Sequence, residues 1–254
     1  MSQQRMRNRM HLARPILGPI LGPRLGTFLG TLLGLFLGTL GLPPRASQAG
    51  ATFAVTGTVS VSKPGGKPGD PSGVVVYLES VPEPPARSEP AKPEPPHPQV
   101  RQRDLQFVPS LTVIVQGTTV DFPNEDKVFH NVFSFSEAAK FDLGLYKSGT
   151  SRSVTFRRPG VVNLYCNIHP EMISKIKVLP THYYSVVGKD GTFRIDHVPP
   201  GTYPLVAWQS YGPEFHGEVT VGSAGAPAVA IQLTVGQPEL LHLRKDGTPY
   251  GRYK

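Results

Sequence analysis

The chain of 254 residues carries a formal charge of +8 and a single cysteine, Cys166. Six of its basic residues, Arg5, Arg7, Arg9, Arg14, Arg24 and Arg45, stand in an acid-free stretch, and setting them aside leaves the remainder at only +2. That excludes a nucleic-acid partner as the meaning of the high pI, and a lone thiol excludes a disulfide framework within the chain.

Residues 1–50 read as a signal peptide. A Leu-Gly beat runs from Leu17-Gly18 to Leu37-Gly38, 18 uncharged residues follow Arg24 as far as Leu42, and small residues around Ala49 and Ala51 suit a signal peptidase. A retained membrane anchor is the alternative, since such a run can just span a bilayer and Gly26, Gly30, Gly34 and Gly38 repeat a helix-contact spacing. So much glycine weakens a stop-transfer helix and favours cleavage. In both cases the rest of the chain is expected to be periplasmic or otherwise exported, with membrane contact only if the segment is retained. In an oxidising compartment a lone cysteine is a liability unless it is buried, paired between chains or bound to something.

Beyond residue 51 no window sustains a helical period. Short β-branched runs recur between Gly, Pro and Asp punctuation, which predicts an all-β chain of antiparallel sandwiches. Residues 52–81 hold the first two runs, "AVTGTVSV" and "GVVVYLES". A linker at 82–99 follows, with eight prolines between Pro82 and Pro98, too many to ladder into a sheet. Residues 100–180 bring "LTVIVQ", "TTVDFP", "NVFSFS", "RSVTFR", "GVVNLYC" and "SKIKVL"; residues 181–236 bring "TFRID", "YPLVAW", "GEVTV" and "VAIQLTV". The tail at 237–254 is short and polar and is expected to be loose.

The third of these segments carries the chemistry. His130 opens "HNVFSFS", and 36 residues later Cys166, His169 and Met172 stand on one tight loop, "CNIHPEM", which Pro170 helps to turn. Two imidazoles, one thiolate and a thioether are the donors of a blue-copper site, whose soft and nitrogen ligands suit both copper oxidation states. Zinc is the chemical rival, but structural zinc normally takes more thiolates and has no use for Met172. A cysteine nucleophile is the enzymatic alternative, and no orienting group supports it. One cysteine cannot bridge a binuclear copper centre, and no two histidines stand two apart as an oxygen-reducing copper cluster requires.

"VDFPNEDKVFHNVFS" and "RRPGVVNLYCNIHPEM" resemble the two signature strands of the cupredoxins, specifically the plastocyanin and amicyanin-like members. The resemblance implies an eight-stranded Greek-key sandwich that shuttles single electrons through one type 1 copper ion. His130, Cys166 and His169 would be its strong ligands and Met172 its axial one. Asn131 would be the residue that ties the two ligand loops together. The short spacing from His169 to Met172 is similar to amicyanin rather than plastocyanin. Cys166 and His130 are expected to be buried. His169 should reach the surface, beside a docking patch at Pro170 and Glu171 for a redox partner such as a c-type cytochrome or dehydrogenase. An electron carrier rather than an enzyme is the expectation; copper(I) delivery by the same ligands, or a structural β-sandwich without redox role, are the alternatives.

"DGTFRIDHVPPGTYPLVAW" resembles a different family, the carboxypeptidase regulatory-like (transthyretin-like) module, whose opening strands are similar to "VTGTVSVSKPGGKPGDPSGVVVYLES" at 55–80. This implies a second small antiparallel sandwich interrupted by the cupredoxin segment. The alternative is that 55–80 are extra cupredoxin strands. Trp208 and Tyr203 are expected to pack, and His182, His197 and His216 to lie on the surface.

Overall fold

The structure, a computed structural model, describes residues 50–82, 96–238 and 240–250. The predicted signal helix and residues 83–95 of the proline-rich strip lie outside the described residues. The described residues contain strands and no helix. In chain order the strands are β1 (Phe53–Ser62), β2 (Val75–Leu78), β3 (Arg101–Arg103), β4 (Gln106–Val108), β5 (Leu111–Val115), β6 (Thr119–Pro123), β7 (His130–Ser136) and β8 (Ala139–Tyr146). They continue with β9 (Ser151–Thr155), β10 (Gly160–Cys166), β11 (His169–Leu179), β12 (Tyr184–Val186), β13 (Thr192–Val198), β14 (Gly201–Trp208), β15 (Phe215–Val221) and β16 (Val229–Thr234).

Strands β3 to β11 build one sandwich. Its larger sheet has the order β5-β11-β10-β7-β8, and β6-β9 and β3-β4 are two-stranded ribbons. The core between them is apolar and includes Phe122, Phe156, Val162, Leu164, Ile176 and Val178. The second sandwich pairs the sheet β13-β1-β16 with the sheet β12-β2-β14-β15. Strands from both ends of the chain meet here: β1 runs antiparallel to β13 and parallel to β16, and β2 pairs with β12 and β14. The Asp190-Gly191 turn that leads into β13 needs a left-handed residue, and Gly191 supplies it at φ 72°.

Four strands were not anticipated from the sequence pattern. Strands β3, β4 and β12 have three residues each, too few for a period to register. In β8, Ala139, Phe141, Leu143 and Leu145 do alternate with Lys140, Asp142 and Gly144, so a period-two signal was there to be read, and the strand pairs along the whole of β7.

The two sandwiches share a junction that explains the composition of β2. All four of its residues are buried: Val76 and Leu78 enter the core of their own sandwich, while Val75 and Tyr77 face the other way, with Trp208, Val206 and Leu179. A strand covered on both faces loses the usual alternation of apolar and polar residues. On the facing strand β11 the alternation "KIKV" looks solvent-directed on one side, but Lys175 and Lys177 are only 9% and 4% exposed. The Lys177 ammonium lies 5.2 Å from the Tyr77 ring and 5.1 Å from the Trp208 ring, and pairs with Glu214 at 2.9 Å. A buried lysine of this kind is tolerated because its charge is met by a carboxylate and two ring faces while its stem covers apolar surface. Trp208→Ala should therefore cost about 3–5 kcal/mol, the range for removing a large buried aromatic. Urea denaturation of the purified protein checks this; a loss under about 1 kcal/mol would mean that the junction contributes little.

Candidate metal centre

Strand pairing assembles the centre. His130 is the first residue of β7, Cys166 the last of β10 and His169 the first of β11. β10 pairs with β7 through Tyr165 and Phe133, and Cys166 pairs with His169 across the Asn167-Ile168 turn, after a register shift at Tyr165. His130, distant in sequence, is thus brought to the Cys166–His169 turn at one end of the sheet.

The convergence reaches the donor atoms. His130 Nδ1 lies 3.1 Å from His169 Nδ1, and Cys166 Sγ lies 3.9 Å from the first and 3.5 Å from the second. Donors held about 2.0–2.3 Å from an ion in a trigonal plane would be roughly 3.5–3.8 Å apart, so these three fit one metal ion without large movement. No other group of three or more His, Cys, Asp or Glu donors gathers in this way among the described residues. His130 and Cys166 are fully buried, while His169 is partly exposed. Burial pushes the Cys166 thiol up, and the backbone amides of Asn131, Ile168 and His169, which point at the sulfur, act against it. Burial pulls the His169 imidazole below its ordinary value, the neighbouring His130 adds to this, and Asp126 opposes it. The His169 imidazole is thereby kept neutral, with a lone pair to offer a cation, whereas the Cys166 thiol keeps its proton until a cation displaces it. Met172 is fully buried in the same apolar cluster as Cys166.

Asn131 spans the two ligand loops. Its Oδ1 accepts from the Asn167 amide at 3.3 Å and its Nδ2 donates to Asp142 Oδ1 at 2.7 Å.

Residues 97–179 match the family of copper binding proteins, plastocyanin/azurin family. The cofactor of this segment is copper, and the donor set above is of the blue-copper kind. No curated protein matches the chain. Among solved structures, a copper-containing nitrite reductase from Thermus scotoductus SA-01 is 28% identical over 40% of this chain, which spans 28% of the length of that one, with a TM-score of 0.35. A copper(I) amicyanin variant is 22% identical over 41% of this chain and 98% of its own, with a TM-score of 0.32. A purple cupredoxin from Nitrosopumilus maritimus is 26% identical over 32% of this chain and 99% of its own, with a TM-score of 0.30.

The expectation for the tail needs correction. Residues 240–250 lie on the loop that joins β10 to β11 rather than hanging free. The His242 amide donates to Pro170 O at 3.3 Å, and His242 Nε2 is 3.2 Å from His169 O. The Lys245 amide donates to Asn167 Oδ1 at 2.9 Å, its ammonium pairs with Asp142 at 2.7 Å, and the Tyr250 hydroxyl donates to Cys166 O at 2.6 Å. The His242 ring stacks 4.6 Å from that of Tyr165 and is only 8% exposed. The segment looked loose because its anchors are single polar side chains at no regular spacing. Leu240, Leu241 and Leu243, the residues that suggest a packed element, point to solvent. Of the predicted patch, Glu171 is exposed and Pro170 half-buried. His182, His197 and His216 are exposed, and Tyr203 and Trp208 are buried.

Two side chains near the donors were missed: His242, for the reason just given, and Asp126, whose Oδ2 lies 2.7 Å from His130 Nε2. A signal existed for Asp126, an acid four residues before a candidate ligand in "DKVFH".

If the tail shields the loop, deleting residues 240–254 should speed alkylation of Cys166 in the metal-free protein by about tenfold, equivalent to removing about 1.4 kcal/mol of protection against local opening. Equal alkylation rates with and without the segment would show that it gives no cover.

Proposed function

We propose that this protein is an exported type 1 copper protein that carries single electrons between redox partners. The observation that carries the reading is the meeting of two imidazole Nδ1 atoms and one cysteine sulfur at a buried point, within a segment that matches a copper-binding family. His130, Cys166 and His169 would hold the ion, with Met172 as the weak axial donor. When bound, copper supplies a one-electron couple whose two states this mixed set of donors accommodates.

The chain's own residues do the rest. The ligand positions are held by paired strands, so little rearrangement accompanies a change of charge. Burial of Cys166 and His130 keeps water, oxidants and a second thiol from the sulfur. The route outward is His169, half-exposed beside Pro170 and Glu171. A partner such as a c-type cytochrome or dehydrogenase would meet that face together with the tail residues resting on it. We read the sandwich of β1, β2 and β12 to β16 as a carboxypeptidase regulatory-like module into which the cupredoxin is inserted, consistent with strands 52–81 pairing with strands 181–236.

Copper(II) added to the purified apo-protein should give an intense blue, green or purple thiolate charge-transfer colour and a reversible one-electron wave. A colourless complex, or colour that survives Cys166→Ser, would sink the reading. Met172→Leu conserves volume and removes only a weak donor, so the site should persist with a higher potential; an unchanged potential and spectrum would remove Met172 from the ligand set. Glu171→Lys, at the rim of the docking face, should change the salt dependence of electron transfer more than the potential. Identical rate-against-ionic-strength curves would place the partner elsewhere.

A further inference from the structure

His130 is a fully buried imidazole with one nitrogen, Nδ1, turned to the other donors and the other, Nε2, turned to a carboxylate. The Asp126 side chain is 14% exposed and is itself fixed from several sides. Its Oδ1 accepts from the Asp104 amide at 2.7 Å, and its Oδ2 accepts from the Leu105 amide at 3.0 Å and from His130 Nε2 at 2.7 Å. The Asp126 amide donates to Asn124 Oδ1 at 3.0 Å, and the Asn124 amide group donates to Val128 O at 2.9 Å and Tyr146 O at 3.1 Å, clamping the loop before β7. Asp104 and Leu105 form the tip of the β3-β4 hairpin and both have positive φ, 53° and 57°. For Leu105 that conformation is strained. It persists because it aims two consecutive amides at one carboxylate.

We propose that Asp126 is a positioning residue for the copper site: by accepting the Nε2 proton it fixes the His130 tautomer that leaves Nδ1 free, and its charge biases the site toward copper(II). The inference rests on the copper reading above. The physical reasoning has two parts. A neutral imidazole carries one proton, and a carboxylate can only accept, so the contact holds that proton on Nε2 and the lone pair on Nδ1. A fixed negative charge hydrogen-bonded to a fully buried ligand increases donation from the ring and favours the more highly charged ion. The β3-β4 hairpin thereby acts on the metal centre without touching it.

The test compares wild type, Asp126→Asn and Asp126→Glu as full-length proteins. In Asp126→Asn, copper(II) affinity should fall about 10- to 100-fold, with a smaller loss for copper(I), so the reduction potential rises; each tenfold difference between the two losses is 59 mV for one electron. Asp126→Glu keeps the charge and should recover more than half of that rise. Equal shifts in the two variants would assign the effect to hairpin closure and overturn the proposal, as would an unchanged potential in Asp126→Asn. Nitrogen NMR of the wild-type apo-protein decides the tautomer with no metal present. A proton on His130 Nε2 is expected, and one on Nδ1 would overturn the assignment even if the protein proves to bind no copper, an outcome that by itself would defeat only the copper reading.

Discussion

The pairing of β7 with β10 is the constraint on which the centre depends. It sets His130 beside the end of the strand that carries Cys166, and the two-residue turn after Cys166 returns His169 to the same point. Each ligand sits at a strand terminus, where one side chain can point along the sheet end while the backbone stays hydrogen-bonded. The donors are therefore organised by ladder bonds far more numerous than the contacts among themselves. That is why an arrangement of like partial charges, two imidazole nitrogens and a sulfur within 4.8 Å, can stand ready for a cation. Asn131 and Asn167 reinforce the same join across the two loops.

A second set of polar contacts works outward from this core. Asp126 joins His130 to the β3-β4 hairpin, and Asp142 joins Asn131 to Lys245 of the C-terminal segment. Both carboxylates are held below their ordinary values: burial opposes this, and the hydrogen bonds they accept outweigh it. Each remains a strong acceptor at neutral pH, so the hairpin and the tail are bound to the ligand loops by charge-assisted bonds. The surface around His169 is consequently composite, made partly by the loop and partly by Lys245 of the tail, with His242 buried beneath it.

The join between the sandwiches is of another kind. Val75, Tyr77, Val206 and Trp208 present one apolar face, and β11 offers it Leu179 and two lysine stems. Because β11 also begins with His169, the strand that carries a ligand at one end is braced against the second sandwich at the other. The described residues accordingly form one compact unit.

The sequence by itself determined the all-β class, the turn at Asp190-Gly191 and the donor types of the centre. Period-two alternation and a rare Cys-x-x-His-x-x-Met spacing are local properties of the chain, as is the burial of Cys166 between Leu164 and Ile168. What depended on long-range approach was left to the tertiary structure. The polar face of β11 is written like a solvent face, and only the arrival of Tyr77 and Trp208 buries Lys177. The tail carries no period, and its order comes from hydrogen bonds to Asn167, His169 and Pro170, more than seventy residues upstream. Asp126 is one acid among several until β3 and β4 fold over it and His130 turns Nε2 toward it. Local pattern fixes which faces of a strand are apolar; which surface covers each face, and which side chain meets a ligand's far nitrogen, follows only from how the strands are brought together.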